Sequence, residues 1–365
     1  MKPKERVIRT LRKQEPDQVP IFANLTPQLA EKLGRKMKLP YESVDSFLST
    51  RISYNEILLN LGNDAVGIGA ARSKEFPTII MKDGRLKDEW GIIYEKIGLY
   101  YEAVERPLAE VEDIADLNKY KFPSANAPGR FELAKKMVRK YGDEYAIIAT
   151  LETTMFEKAW GLVGMEKYLM DLSAKNPYTI ELLDKLKEYS IGCGKKLIRL
   201  GADVIWAGDD FGTQNGMMIS PKMWREIFKP RYKEVFDELK KTNPDIIIAY
   251  HSCGSIRPII TDMIEIGLDV LNPIQPKALD MDPADLKKTY GKEIAFFGGI
   301  DIQDVLPNGT PEDVRAEVKN KIRAAGEGGG YLLAPAHNIQ PDTPLENIFT
   351  LFEAVKEYGK YPLDL

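Results

Sequence analysis

Ile246-Ile247-Ile248-Ala249-Tyr250-His251-Ser252-Cys253 is an apolar run of strand length that ends in an imidazole and a thiol. The same design recurs in Tyr331-Leu332-Leu333-Ala334-Pro335-Ala336-His337, and His251 and His337 are the only two histidines of the chain. A buried strand that delivers a titratable or metal-ligating side chain at its C-terminal end is how a (β/α)8 barrel presents its chemistry. Side chains at i and i+2 of a strand end share one face, so His251 and Cys253 can reach a common atom. With His337 they offer three N or S ligands, the number a catalytic zinc uses while keeping one position open.

Working outward, apolar runs of strand length fall at Val19–Leu25, Asp64–Gly69, Ala146–Leu151, Asp203–Ala207, Ile246–Tyr250, Leu268–Leu271, Ile294–Phe297 and Tyr331–Leu333. Helical spacing with charged faces fills the intervals at Phe131–Tyr141, Thr179–Leu200, Pro221–Lys241, Ile256–Ile266 and Pro311–Ala325. Strands separated by helices pair in parallel. No Gly-x-Gly-x-x-Gly follows a strand, which argues against an open dinucleotide-binding sheet. Between about Phe76 and Glu105 the pattern changes: Lys82-Asp83-Gly84-Arg85 is a turn signal between the β-prone runs Thr78–Met81 and Ile92–Lys96. The expected architecture is an α/β (β/α)8 TIM barrel with an N-terminal extension and an inserted β-hairpin, one domain over residues 1–365.

Charge and cysteine usage narrow the class. Lys and Arg total 51 against 55 Asp and Glu, a net charge of −4, with the basic residues spread among acidic ones. That disfavours nucleic acid and anionic membranes and points to small molecules or another protein. Two distant cysteines, Cys193 and Cys253, imply no disulfide scaffold and a reducing compartment. The start, Met1-Lys2-Pro3-Lys4-Glu5-Arg6, is polar and no run approaches 18 apolar residues, so a cytoplasmic protein without export signal or membrane span is expected.

Residues just past the strands are polar beyond what packing needs: Asn24, Glu152, Asp209, Asp210, His251, Cys253, Asn272, Asp301, His337 and Asn338. Asn272 before Pro273 and Asp301 after Gly298-Gly299-Ile300 read equally as turn or capping residues. For Asp209 and Asp210 a functional role is favoured, since adjacent carboxylates repel and one helix cap needs only one of them. Glu152, Asp209 and Asp210 are the expected catalytic carboxylates. Asn24, Gln214, Tyr250, Asn272, Asp301 and Asn338 are the expected substrate contacts, and His251, Cys253 and His337 the expected metal ligands.

Several stretches resemble the uroporphyrinogen decarboxylase superfamily, in particular its corrinoid-dependent methyltransferase branch. They are His251-Ser252-Cys253-Gly254-Ser255-Ile256-Arg257-Pro258, the run Ile264–Pro273 with Gln275, Gly208-Asp209-Asp210-Phe211-Gly212-Thr213-Gln214, Ser220-Pro221-Lys222-Met223-Trp224, and Pro335–Pro344. The resemblance implies a zinc-binding barrel in which His251 and Cys253 match two ligands. Many members place a cysteine in the loop after the last strand as third ligand, where this chain has His337. The decarboxylases carry a metal-free histidine in that loop, so His337 reads either as a ligand or as a pocket residue. Glu152, Asp209 and Asp210 are then open to an oxygen-ligand or supporting role. The arginine-rich N-terminal segment of the decarboxylases is replaced here by Ile21-Phe22-Ala23-Asn24-Leu25-Thr26-Pro27, which offers few counter-charges to a polyanionic tetrapyrrole.

The function these residues and this resemblance imply is zinc-dependent methyl transfer between a methylated small molecule and the cobalt of a corrinoid protein, as in O-demethylase systems. A methoxylated aromatic is the preferred donor, because a His/Cys/His set carries one negative charge and leaves zinc net positive toward an oxygen. The corrinoid must come on a separate carrier protein, since no further histidine is present to hold cobalt. The alternatives are a metal-independent decarboxylase, a methylcobamide:thiol methyltransferase, and a tetrapyrrole-binding module without catalysis.

Overall fold

A computed structural model describes residues 1–41, 51–76, 78–98, 100–151 and 153–364. Seven parallel strands follow one another around a curled sheet in chain order: β1 (Ala65–Gly69), β2 (Ala146–Thr150), β3 (Val204–Gly208), β4 (Ile247–His251), β5 (Val270–Asn272), β6 (Ala295–Ile300) and β7 (Tyr331–Pro335). The eighth stave is the segment 19–25, which is not a regular strand. On one side it joins β7 and the loop beyond, with Phe22 N donating to Leu333 O at 3.1 Å and Ile339 N to Asn24 O at 2.9 Å. On the other side it meets β1 largely through side chains: Ile21 N donates to Asp64 Oδ2 and Ala23 N to Asn63 Oδ1, each at 2.9 Å. Asp64 is therefore occupied in closing the barrel, which is why β1 begins one residue later than the apolar run suggests.

Alternation along the strands creates two cores. Ala146, Ile148, Val204, Trp206, Ile247, Ala249, Val270, Phe297 and Leu332 point inward with Phe22, and Val7 and Leu11 of the helix Pro3–Leu11 join this inner set. The alternate residues, among them Val66, Ile147, Ile205, Ile248 and Tyr250, pack outward under the helices. Full burial of an aliphatic side chain is worth about 1.5–3 kcal/mol, so both layers fix which side chains can face the barrel axis.

Two elements differ from expectation. The predicted hairpin is a four-stranded antiparallel meander of Ile79–Ile80, Leu86–Lys87, Ile93–Ile97 and Tyr100–Glu105. The 82–85 turn joins the first two of these, and Ile93–Ile97 follows a second turn in which Asp88 Oδ1 accepts from Ile92 N at 2.9 Å. The helix expected over Pro221–Lys241 is interrupted by a π turn at Trp224–Phe228 before it resumes as Lys229–Thr242. Pro230 explains the interruption, since it lacks an N–H and its ring crowds the carbonyl one turn earlier. Among the described residues no helix is long and apolar enough to cross a membrane.

Candidate functional site

Three ligand-capable side chains converge at the C-terminal rim. Asp210, His251 and Cys253 each bring one N, O or S atom, and these atoms all lie within 4.8 Å of one another. His251 Nε2 is 3.4 Å from Cys253 Sγ and 3.5 Å from Asp210 Oδ1. Local folding places them. β4 alternates Ile247, Ala249 and His251 toward the barrel axis, and Cys253 continues that face two residues on. On β3 the same alternation carries Trp206, Gly208 and Asp210 inward. Gly208 lies opposite His251 in register, and a Cβ there would sit 2.6 Å from His251 Cβ, so only glycine lets the imidazole occupy this position.

His251 is oriented from behind. Asn272, at the end of β5, donates through Nδ2 to Phe297 O at 2.9 Å, and its Oδ1 accepts from Trp206 Nε1 at 3.1 Å. The carboxamide orientation is thereby set, so the 2.6 Å contact between Asn272 Oδ1 and His251 Nδ1 is a bond donated by Nδ1–H. The lone pair is on Nε2, facing Sγ and Asp210. Burial, with Arg51 nearby, lowers His251 to about 4, and His337 is lowered for the same reasons, so both rings are neutral at pH 7. Burial, reinforced by Asp210, raises the Cys253 thiol. A bond from an oriented second group typically holds a ligand's metal affinity by about 10- to 100-fold. Asn272→Leu is expected to weaken the zinc binding proposed below by about that factor in a chelator competition, while Asn272→Asp, which keeps an acceptor for Nδ1–H, loses less.

Above the three atoms opens a cavity of about 620 Å³ lined by Arg51, Glu157, Lys158, Gly208, His337 and Asn338, with Tyr94, Tyr100 and Tyr101 of the meander and Trp160 forming an aromatic wall. Glu157 is half-buried, its Oε2 accepts from Asp210 N at 3.0 Å, and desolvation beside Asp210 and Asp209 pushes its carboxyl up to about 8. A narrow recess deeper in the barrel is lined by Phe22, Asn24, Arg51, Trp206 and Asn338. Asn24 Oδ1 is buried there and has no hydrogen-bond partner among the described residues.

The structure sorts the expected site residues. His337 lines the cavity but lies outside the group of three mutually close ligand atoms; Asp210 occupies the third place. Asp209 does not face the cavity. It is fully buried, accepts from Met155 N at 2.8 Å and Glu157 N at 2.9 Å at the start of the helix Phe156–Val163, and accepts a short bond from Tyr232 OH. Burial raises its carboxyl to about 6. Tyr250, one residue out of phase with His251, points outward against Tyr232 and Phe236 and is not a cavity residue. Gln214 is exposed on the small hairpin formed by Gly212–Thr213 and Gly216–Met217, away from the cavity lining. Asp301 pairs with Lys277 at 2.9 Å beside a smaller cavity shared with Cys253 and His337. Glu152 lies outside the described residues. Arg51, Glu157 and the aromatic wall are not legible in the sequence, because none of them follows a strand of the barrel.

Comparison with known proteins bears on this geometry. A family model described as uroporphyrinogen decarboxylase (URO-D) matches residues 99–358. The chain belongs to the URO-D family. Relatives of this URO-D chain include the methylcobamide:CoM methyltransferase MtbA of Methanosarcina acetivorans, 25% identical over 98% of both chains. The methylcobamide:CoM methyltransferase MtaA of Methanosarcina barkeri is 28% identical over 63% of this chain, and the match spans 64% of that relative's length. A uroporphyrinogen decarboxylase of Nostoc punctiforme is 24% identical over 70% of each chain. Among solved structures, a methyltransferase from Methanosarcina mazei superposes with a TM-score of 0.71 at 21% identity, covering 98% of this chain and 99% of the other. That likeness supports the URO-D barrel as the fold.

Proposed function

We propose that this chain is a zinc-containing methyltransferase that moves a methyl group between a small methylated molecule, a methoxylated aromatic first among them, and a corrinoid carried by a separate protein. The observation that carries the reading is the spacing of Asp210, His251 and Cys253. A tetrahedral zinc 2.0–2.3 Å from each ligand sets neighbouring N, O and S atoms about 3.4–3.6 Å apart, and the two distances from His251 Nε2 are 3.4 and 3.5 Å. The donor set fits zinc: a neutral imidazole presenting Nε2, a carboxylate, and a thiol that zinc would take as its thiolate.

Zinc bound there would act as a Lewis acid on a methoxy oxygen or a thiol. The chain's own residues do the rest. Asn272 keeps Nε2 directed at the site, the aromatic wall holds a planar donor over it and excludes water, and Glu157 is placed to hand a proton to the departing oxygen. The reduced corrinoid enters as co-substrate: the C–O bond breaks with its pair on oxygen, and cobalt supplies both electrons of the new bond to carbon. With Asp210 in place of His337 the ligands carry two negative charges, not one. The preference for an oxygen donor therefore rests on the aromatic wall, not on net charge. Names of the relatives that specify CoM favour thiol methylation as the second reading.

Against a tetrapyrrole decarboxylase stands the charge of the cavity. Among the described residues its lining holds only two cations, Arg51 and Lys158. The test is to mix zinc-loaded protein with cob(I)alamin and a panel of methoxyaromatics, methanol and methylamines, and to follow the corrinoid spectrum. The expected result is methylcobalamin with release of the phenol. Demethylation of methylcobalamin by a thiol, without reaction of any methoxyaromatic, would move the chain to the second reading. Carbon dioxide release from a carboxylated substrate with no corrinoid change would overturn both.

A further inference from the structure

The three close ligand-capable residues do not all open onto the same space. Asp210 and His251 line the 620 Å³ cavity, whereas Cys253 lines a second chamber of about 240 Å³ farther round the rim, and His337 lines both. The second chamber is built from the segments that follow β4, β5, β6 and β7, and three consecutive staves each give it one glutamine: Gln275 after β5, Gln303 after β6 and Gln340 after β7. Two of these carboxamides are tied to the site. Gln275 Oε1 accepts from Gly254 N at 2.7 Å, which fixes the amide and leaves Nε2 as a donor. Gly254 follows Cys253 with φ +72°, and a Cβ there would lie 2.5 Å from Gly212 C, so the loop that carries the thiol is held between Gln275 and the neighbouring hairpin. Gln340 bonds to the hydroxyl of Tyr100 in the aromatic wall. Gln303 is exposed, and its carboxamide has no hydrogen-bond partner among the described residues.

The charge of the chamber narrows what it can take. Among the described residues its one carboxylate, Asp301, is paired with Lys277 at 2.9 Å, so no free cation waits for an anion. What the lining offers is amide donors and acceptors. A primary amide carries two donors and an acceptor and is complemented by another primary amide; a carboxylate brings acceptors alone and an ester brings no donor. The volume is about eight times a water's share of the liquid, room for more than one short amide-tipped arm.

We infer that this chamber seats carboxamide arms at the edge of the corrin ring, recognised by Gln275, Gln303 and Gln340, while the disc lies across the mouth of the main cavity. The inference deepens the function proposed above and rests on it for the identity of the co-substrate. In an in-line displacement cobalt meets the methyl carbon on the side away from the leaving oxygen, so the disc must cover the donor and cannot share its cavity. A disc in that position projects its arms sideways over the rim, and the chamber is the place on the rim where amides line a space beside the ligand atoms.

The test compares three corrinoids that differ at the periphery and share the ring: cobinamide, cobyrinic acid and cobyrinic acid heptamethyl ester. Binding to the zinc-loaded full chain is measured by equilibrium dialysis with the cobalt oxidised and no methyl donor, so no turnover is involved. The wild-type protein is expected to hold cobinamide about tenfold or more tightly than either of the others, as two or more net hydrogen bonds would give. Gln303→Leu is expected to lower cobinamide affinity by about fivefold, with Gln303→Leu/Gln340→Leu losing more, while ester binding and zinc content stay unchanged. Gln303→Asn is expected to recover part of the loss. Equal binding of amide and ester by the wild type, an equal loss of both in Gln303→Leu, or no binding of any of the three would overturn the inference. Amide-selective binding without methyl transfer from any donor would uphold the chamber and overturn the reaction proposed above, so the two fail separately.

Discussion

Cys253→Ala is expected to yield a folded barrel that holds no stoichiometric zinc and has lost methyl transfer by more than about a hundredfold, the upper end of what groups merely supporting a ligand contribute. Among the described residues the thiol is one of three close ligand-capable atoms and the sulfur among them. It sits past the end of β4, partly exposed, so the strand's packing does not depend on it. The fold rests instead on the two buried layers on either side of the sheet. Elemental analysis and thermal unfolding decide the point together. Loss of zinc with a transition near that of the parent protein is the expected pair of results; a variant that unfolds while the parent also carries no zinc would show that Cys253 serves packing alone.

Asp209→Ala is expected to destabilise the protein by about 3–5 kcal/mol, since it strips the partner from a buried group of donors. Its two oxygens accept from the backbone at Met155 and Glu157 and from the Tyr232 hydroxyl, all in the interior. Alanine leaves those donors with neither partner nor water. Asp209→Asn keeps one acceptor but turns an amide toward N–H groups, so a smaller loss is expected. The urea midpoint measures both. Because Asp209 does not belong to the close ligand group, the folded fraction of either variant should bind zinc at the parent stoichiometry, which distinguishes a structural clamp from a metal ligand.

Much of the barrel is legible because its strands are apolar runs bounded by polar turns, and seven of the eight runs become regular strands. The segment 19–25 is the exception: Pro20 has no N–H to give, and Asn63 and Asp64 close the gap with side chains, a device that hydropathy does not register. At the site, His251 and Cys253 are legible from i, i+2 spacing. The choice between Asp209 and Asp210 was legible too, had the alternation Trp206, Gly208, Asp210 been carried past the strand end, and the same count sends Tyr250 outward. Arg51 and Glu157 were not legible. One precedes a short helix and the other opens the helix Phe156–Val163, and only tertiary packing brings either to the rim.

The ligand atoms come from residues 210–253, on two neighbouring staves of the sheet, whereas the tyrosines of the cavity wall come from the meander inserted between β1 and β2. On the function proposed above, the reactive atoms and the aromatic part of the cavity wall are thus housed in separate stretches of chain. Exchanging the inserted sheet for one with a different wall would retarget the enzyme to new molecules while leaving its reactive centre intact, so a common engine can be fitted with successive attachments without being rebuilt.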